Sequence, residues 1–133
     1  MNFQEFQYLI TIRMSQSSEN RKTVQNAKII LEFQNNRKNQ KQKITFNTRL
    51  ESGENYSQVI VSEMATDQFD LITMEWSDGS LIELREKSIF VDSIRIISLS
   101  KINDNQQQQN LEMIFNPESK EITNRNSVRF HKI

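Results

Sequence analysis

Phe6, Tyr8, Ile10, Ile12 and Met14 recur at every second position, with polar or small residues in between for most of the run. Period two places the five on one face of an extended chain, so the pattern predicts a half-buried strand. The same alternation returns at Ala27, Ile29, Leu31 and Phe33. A polar stretch, NNRKNQKQK at 35–43, then predicts a hairpin tip before the short Ile44-Thr45-Phe46 strand. In the next run Val59 and Val61 fall on one side and Ile60 on the other, and Ile72, Met74 and Trp76 alternate cleanly after it. Beyond the loop holding Asp78-Gly79, three more runs follow: SIFVDSIRIISLS, then Leu111, Met113 and Phe115, then Val128 and Phe130. The reading is therefore eight strands, near 6–14, 26–34, 43–47, 56–63, 68–76, 88–99, 111–116 and 127–132. No long stretch has helical period; the weakly helical 62–70 reads as a corner. This argues for an all-β fold, an eight-stranded antiparallel β-sandwich, as one domain over 1–133 without internal repeat or linker. The expected core contains Tyr8, Ile10, Ile12, Ile29, Leu31, Tyr56, Ile72, Met74, Trp76, Ile94 and Ile96.

The order of these runs resembles the PLAT domain, the β-sandwich found with triglyceride lipases and lipoxygenases. The residues that carry the resemblance are FQYLITIRM, AKIILEF, ITF, the Tyr56-Ser57 opening of the fourth strand, the run ending in Trp76, and IFVDSIRI. It extends from Phe6 to about Phe130 and is strongest between Tyr56 and Ile96. Where the lipase domains carry glycine at the corner between the fourth and fifth strands, this chain has Asp67. Asp is among the non-glycine residues that best tolerate a left-handed backbone. The resemblance implies a sandwich that positions a neighbouring domain, protein or lipid. It also implies that Trp76 is a core residue whose indole N–H needs a partner.

Composition narrows the chemistry. Lys plus Arg and Asp plus Glu are both 17, so no overall field draws the chain toward nucleic acid or an anionic surface. With no cysteine, disulfides, thiolate nucleophiles and sulfur-ligated zinc are excluded together. No apolar run approaches the roughly 20 residues of a membrane-spanning helix. The opening residues show neither a signal-peptide nor a transit-peptide pattern. A soluble protein is expected, cytoplasmic by default, with cytoskeletal, ciliary or mitochondrial assemblies left open. Gln and Asn supply 27 residues, and the run 106–109 reads as a solvated loop.

Catalytic apparatus is missing from the sequence. There is no G-x-S-x-G elbow, and the lone His131 lies near a chain end that is expected to be mobile. Asp67 with Asp70 and Glu83 with Glu86 are carboxylate pairs of the kind any acidic surface offers, so neither a catalytic pair nor a metal site is expected. No cofactor is implied. One charge cluster rises above background: Arg37, Lys38, Lys41 and Lys43 on the hairpin tip, a candidate contact for an acidic protein, phosphate or lipid headgroup. The expected role is a non-enzymatic protein-interaction module, a structural or adaptor subunit of a larger assembly. Two alternatives stand beside it: a peripheral lipid-binding PLAT module, disfavoured because the loops 15–26, 37–43 and 103–110 lack aromatic residues, and an OB-type single-stranded nucleic-acid binder, disfavoured by zero net charge. Strand addition is expected at the aromatic first strand or at the last strand.

Overall fold

The structure is a computed structural model, and it describes residues 6–16, 24–35, 40–62, 69–79, 85–99 and 112–133. Among them are nine strands: β1 (Phe6–Met14), β2 (Val24–Asn35), β3 (Gln40–Leu50), β4 (Asn55–Ser62), β5 (Leu71–Ser77), β6 (Ser88–Ser98), β7 (Glu112–Pro117), β8 (Glu121–Thr123) and β9 (Val128–Lys132). The described residues include no helix, and every strand pairing is antiparallel.

Eight strands form one ladder in the order β3-β2-β5-β9-β7-β6-β1-β4, and β8 pairs separately with the start of β6. The ladder curls until its two ends meet. Gln42 of β3 donates from Nε2 to the Val61 carbonyl of β4 at 3.5 Å, and Ser62 Oγ bonds Gln42 Oε1. At the opposite end the turn 51–54 ties β3 to β4, with Gly53 at φ +79, a left-handed value suited to glycine. The all-β sheet is thus nearly closed into a barrel, and the gap between β3 and β4 is its only seam among the described strands.

Alternation puts one face of each strand into the core. Tyr8, Ile10 and Ile12 from β1, Ile29, Leu31 and Phe33 from β2, Ile72, Met74 and Trp76 from β5, and Ile94 and Ile96 from β6 are all at most 2% exposed. Tyr56 is only half-buried, and its hydroxyl reaches out to Glu54 at 3.4 Å. Phe69, just ahead of β5, lies against Tyr8 at 5.6 Å and Phe33 at 5.1 Å between ring centroids, joining β1 to β2 through the interior. Trp76 gives its indole proton to the Ile122 carbonyl of β8 at 2.8 Å, so the buried N–H is satisfied from across the core.

Several sequence expectations need correction. The lone histidine is not on a loose end: His131 sits in β9, between β5 and β7, opposite Leu71 and Asn116. Strand addition at the first or last strand is ruled out by topology, because β1 already has β4 and β6 as neighbours and β9 has β5 and β7. Lys41 and Lys43 belong to strand β3 and not to a hairpin tip, since β3 continues through polar residues that periodicity does not flag. Strand β8 is additional, with Ile122 as its one apolar residue. The corner residues 63–68, including Asp67, lie outside the described residues.

A bulge adjusts β6. Arg13 faces Ser93 while Met14 faces Val91, which leaves Asp92 as an extra residue. Its carboxylate accepts a hydrogen bond from Ser15 Oγ at 2.6 Å and pairs with Lys120 Nζ at 3.3 Å. These contacts, Ser15 foremost, hold Asp92 below the usual aspartate range against the opposing effect of burial.

Two predictions follow from these contacts. Trp76→Phe removes the indole bond to the Ile122 carbonyl, which keeps its ladder partner Ile89, and should cost about 0.5–1.5 kcal/mol, measured by urea denaturation followed by circular dichroism; no measurable loss would contradict a stabilising bond. Because the folded pKa of Asp92 is depressed, its stabilisation is present above the unfolded value of about 3.9 and disappears as pH falls through the lowered folded value. The stability gap between wild type and Asp92→Asn should accordingly be open at neutral pH and close on acidification, and a pH-independent gap would contradict the assignment.

Candidate functional site

Outward-facing positions of β4, β1, β6 and β7 fall into rows fixed by register. Val59 is opposite Leu9, Leu9 is opposite Ile97, and Ile97 is opposite Glu112. In the next row Val61 is opposite Gln7, whose carbonyl accepts from the Leu99 amide at 2.7 Å. On the other side Ser57, Thr11 and Arg95 line up, with Thr11 Oγ1 and Ser57 Oγ 2.9 Å apart and Arg95 Nε 2.7 Å from Glu112 Oε1. Leu9, Val59, Val61, Ile97 and Leu99 therefore make one apolar patch with a polar margin.

The patch is open to solvent where it reaches β4. Val59 and Val61 are each 51% exposed and Leu99 is 39% exposed, whereas Leu9 and Ile97 are half-buried by their neighbours. Apart from Ile133, these are the only large exposed hydrophobics among the described residues. Isolated apolar residues on a surface are ordinary; a contiguous group with a polar rim marks an interaction surface.

The main chain of β4 adds a second element. Glu54 accepts from the Met14 amide at 3.0 Å, so its carbonyl points toward β1. By alternation Tyr56, Gln58 and Ile60 also address β1, while Asn55, Ser57, Val59 and Val61 turn their amides and carbonyls to the seam. Gln42 takes up the Val61 carbonyl, and Gln58 Nε2 lies 3.4 Å from the Val59 carbonyl.

Of the charge cluster read from the sequence, Lys41 and Lys43 are exposed on the outer face of β3, beside the clasp that joins Gln42 to β4. Neither is held in an ion pair with a described residue. Arg37 and Lys38 lie outside the described residues. Glu32 stands opposite Lys43 in the ladder but is bonded to Gln34 Nε2 at 2.8 Å.

Elsewhere the described residues offer little surface chemistry. His131 Nε2 is 2.6 Å from Glu118 Oε1, an exposed contact. A 210 Å³ cleft between Met14, Leu50, Ile89 and Glu121 holds the Ser88 Oγ to Glu121 Oε1 bond at 2.8 Å, and a 430 Å³ hollow beside Trp76 is bordered by Ile30, Glu75 and Arg125. In neither does a serine meet a histidine. No three carboxylate or histidine side chains converge as metal ligands among the described residues. Of the two carboxylate pairs noted in the sequence, Asp67 and Glu83 lie outside the described residues. No helix among the described residues is long and apolar enough to cross a membrane.

The register that assembles the patch was hidden in the sequence. Leu9, Ile97 and Val59 each occupy the nominally polar face of their own strand or the less buried side of an apolar run. Only pairing brings them together.

No protein-family model matches the chain, and neither does any curated protein. Among solved structures it is similar to a lipoxygenase described as Delta413-417:GS I805A LOX, with a TM-score of 0.63 and 11% identity over 96% of this chain. The match takes up 16% of the lipoxygenase chain. At that identity the likeness is one of fold.

Threonine substitutions test whether the patch is exposed in solution as drawn. Val59→Thr and Val61→Thr should each change stability by no more than about 0.5 kcal/mol, whereas Ile60→Thr, on the buried face between them, should cost about 1–3 kcal/mol. Urea denaturation of the three variants checks this; equal losses at all three positions would mean that the outer valines are covered.

Proposed function

We propose that the protein is a non-catalytic interaction module of PLAT type, a structural or adaptor subunit that docks another protein on the outer face of β4, β1 and β6. The observation that carries this reading is the contiguous patch of Leu9, Val59, Val61, Ile97 and Leu99, three of whose members are well exposed on a sheet face already complete without a ligand. The PLAT part of the reading is supported by the fold likeness to a region that makes up 16% of a lipoxygenase chain.

Burial of this face by a partner would release ordered water from apolar side chains, and its rim of Arg95, Glu112, Thr11 and Ser57 would supply the polar margin typical of protein interfaces. A membrane-docking role finds less support. Trp76 is buried, and the exposed large hydrophobics among the described residues are aliphatic, without the aromatic anchors of interfacial binders.

The test is the native mass of the tagged chain in gentle lysates of its source cell, compared with that of a Val61→Asp, Leu99→Asp variant. Wild type should migrate well above its own 15.8 kDa, and the variant, folded by circular dichroism, should return to monomer. A wild-type monomer, or a complex indifferent to the two substitutions, would overturn the reading.

A further inference from the structure

The two ends of the ladder are unequal as edges. Sheet edges invite pairing with other strands, and proteins blunt them with charge, proline or bulges. Strand β3 is blunted: its outer face carries Lys41, Lys43 and Arg49. Strand β4, NYSQVIVS, has no charge, proline or glycine over its full length, and no described strand pairs with its far side. Its amides at Asn55, Ser57 and Val59 face the seam, as the alternation from Glu54 requires.

The seam also leaves the flank of the core thinly covered. Ile44 and Phe46 on β3 and Tyr56 on β4 point inward yet are only partly buried, unlike Ile29, Leu31 and Ile10 on the adjoining strands. On the outer side of the same seam stand Lys41 and Lys43, next to Gln42, which reaches Val61 and Ser62.

We infer that β4 accepts an added strand from a partner segment in which apolar residues alternate with acidic ones. This deepens the interaction-module reading and rests on it. On entering the seam the guest would displace Gln42 from Val61 and Ser62, its main chain would bond the seam-facing groups of Ser57 and Val59, its inward apolar side chains would cover Tyr56, Phe46 and Ile44, and its outward carboxylates would meet Lys41 and Lys43. Charge complementarity selects this guest. A second copy pairing β4 to β4 would bring no acidic residue to the lysines, because β4 contains none. Lipid headgroups could answer the lysines but do not present the regularly spaced donors and acceptors that a strand edge pairs with.

Selection of random peptides displayed on phage against the intact protein, followed by anisotropy with the strongest synthetic peptide, tests the inference. Enriched sequences should alternate apolar and acidic residues, and binding should weaken with added salt. Val59→Pro removes an amide that faces the seam and leaves the β1 ladder intact; it should weaken binding by at least about tenfold. Lys41→Glu with Lys43→Glu should do the same, and Arg129→Gln, exposed on β9 away from the seam, should not. Should the proline variant fold poorly, slowed amide exchange at Ser57 and Val59 in the peptide complex of the wild type reads the same contact.

Peptides whose binding ignores Val59→Pro and leaves those amides unprotected would overturn strand addition. So would selection of basic sequences, or of none. Binding only to phosphatidylserine vesicles through the lysines would replace the guest with a lipid surface, and a dimer lost in Val59→Pro would replace it with a second copy. If strand addition fails while the native complex still dissolves on Val61→Asp, Leu99→Asp substitution, the module reading stands without it. If the native complex is absent as well, both fall.

Discussion

The placement of β9 governs the rest of the sheet. Without it the ladder is two separate pieces, β3-β2-β5 and β7-β6-β1-β4, and among the described strands the only ladder pairing that joins them is that of β9 with β5 on one side and β7 on the other. Ile72 faces Phe130 on one edge of β9, and Pro117 faces Phe130 on the other, so one buried phenylalanine marks the joint. Contacts of such long sequence separation carry a high loop-closure cost, which the core they complete must offset. The interior aromatic bridge of Tyr8, Phe69 and Phe33 spans the same two pieces from within.

Once the joint is made, the remaining features follow from closing a twisted sheet. Curling brings β3 and β4 together, but the short turn and the Gln42 clasp hold them side by side without a ladder. The bulge at Asp92 bends β6, so that its early part pairs with β8 while its later part continues with β1 and β7. Where closure is incomplete, main-chain groups and apolar side chains are left over.

Much of this was legible from alternation alone. Strands with a buried face on one side and solvent on the other, such as β1 and the later part of β5, announce themselves by period two, and their inward residues could be named in advance. What alternation cannot report is which strands are neighbours. The outer patch joins Leu9, Val59 and Ile97, far apart in sequence, and nothing short of register connects them. Strand length was also underread where polar residues sit on an edge: Lys41 and Lys43 read as a loop because an edge strand buries too little to need apolar residues. The three-residue β8 has a single apolar position, too few to show any period.

The indole of Trp76 connects strand β5 to the carbonyl of β8 through the middle of the protein, and it is the one tryptophan in the chain. Its ring is enclosed by the core, so its emission belongs to a single environment. The protein therefore carries an intrinsic optical gauge of its own interior: any event that loosens β8 from β5 must shift the colour of that one fluorophore, with no label added.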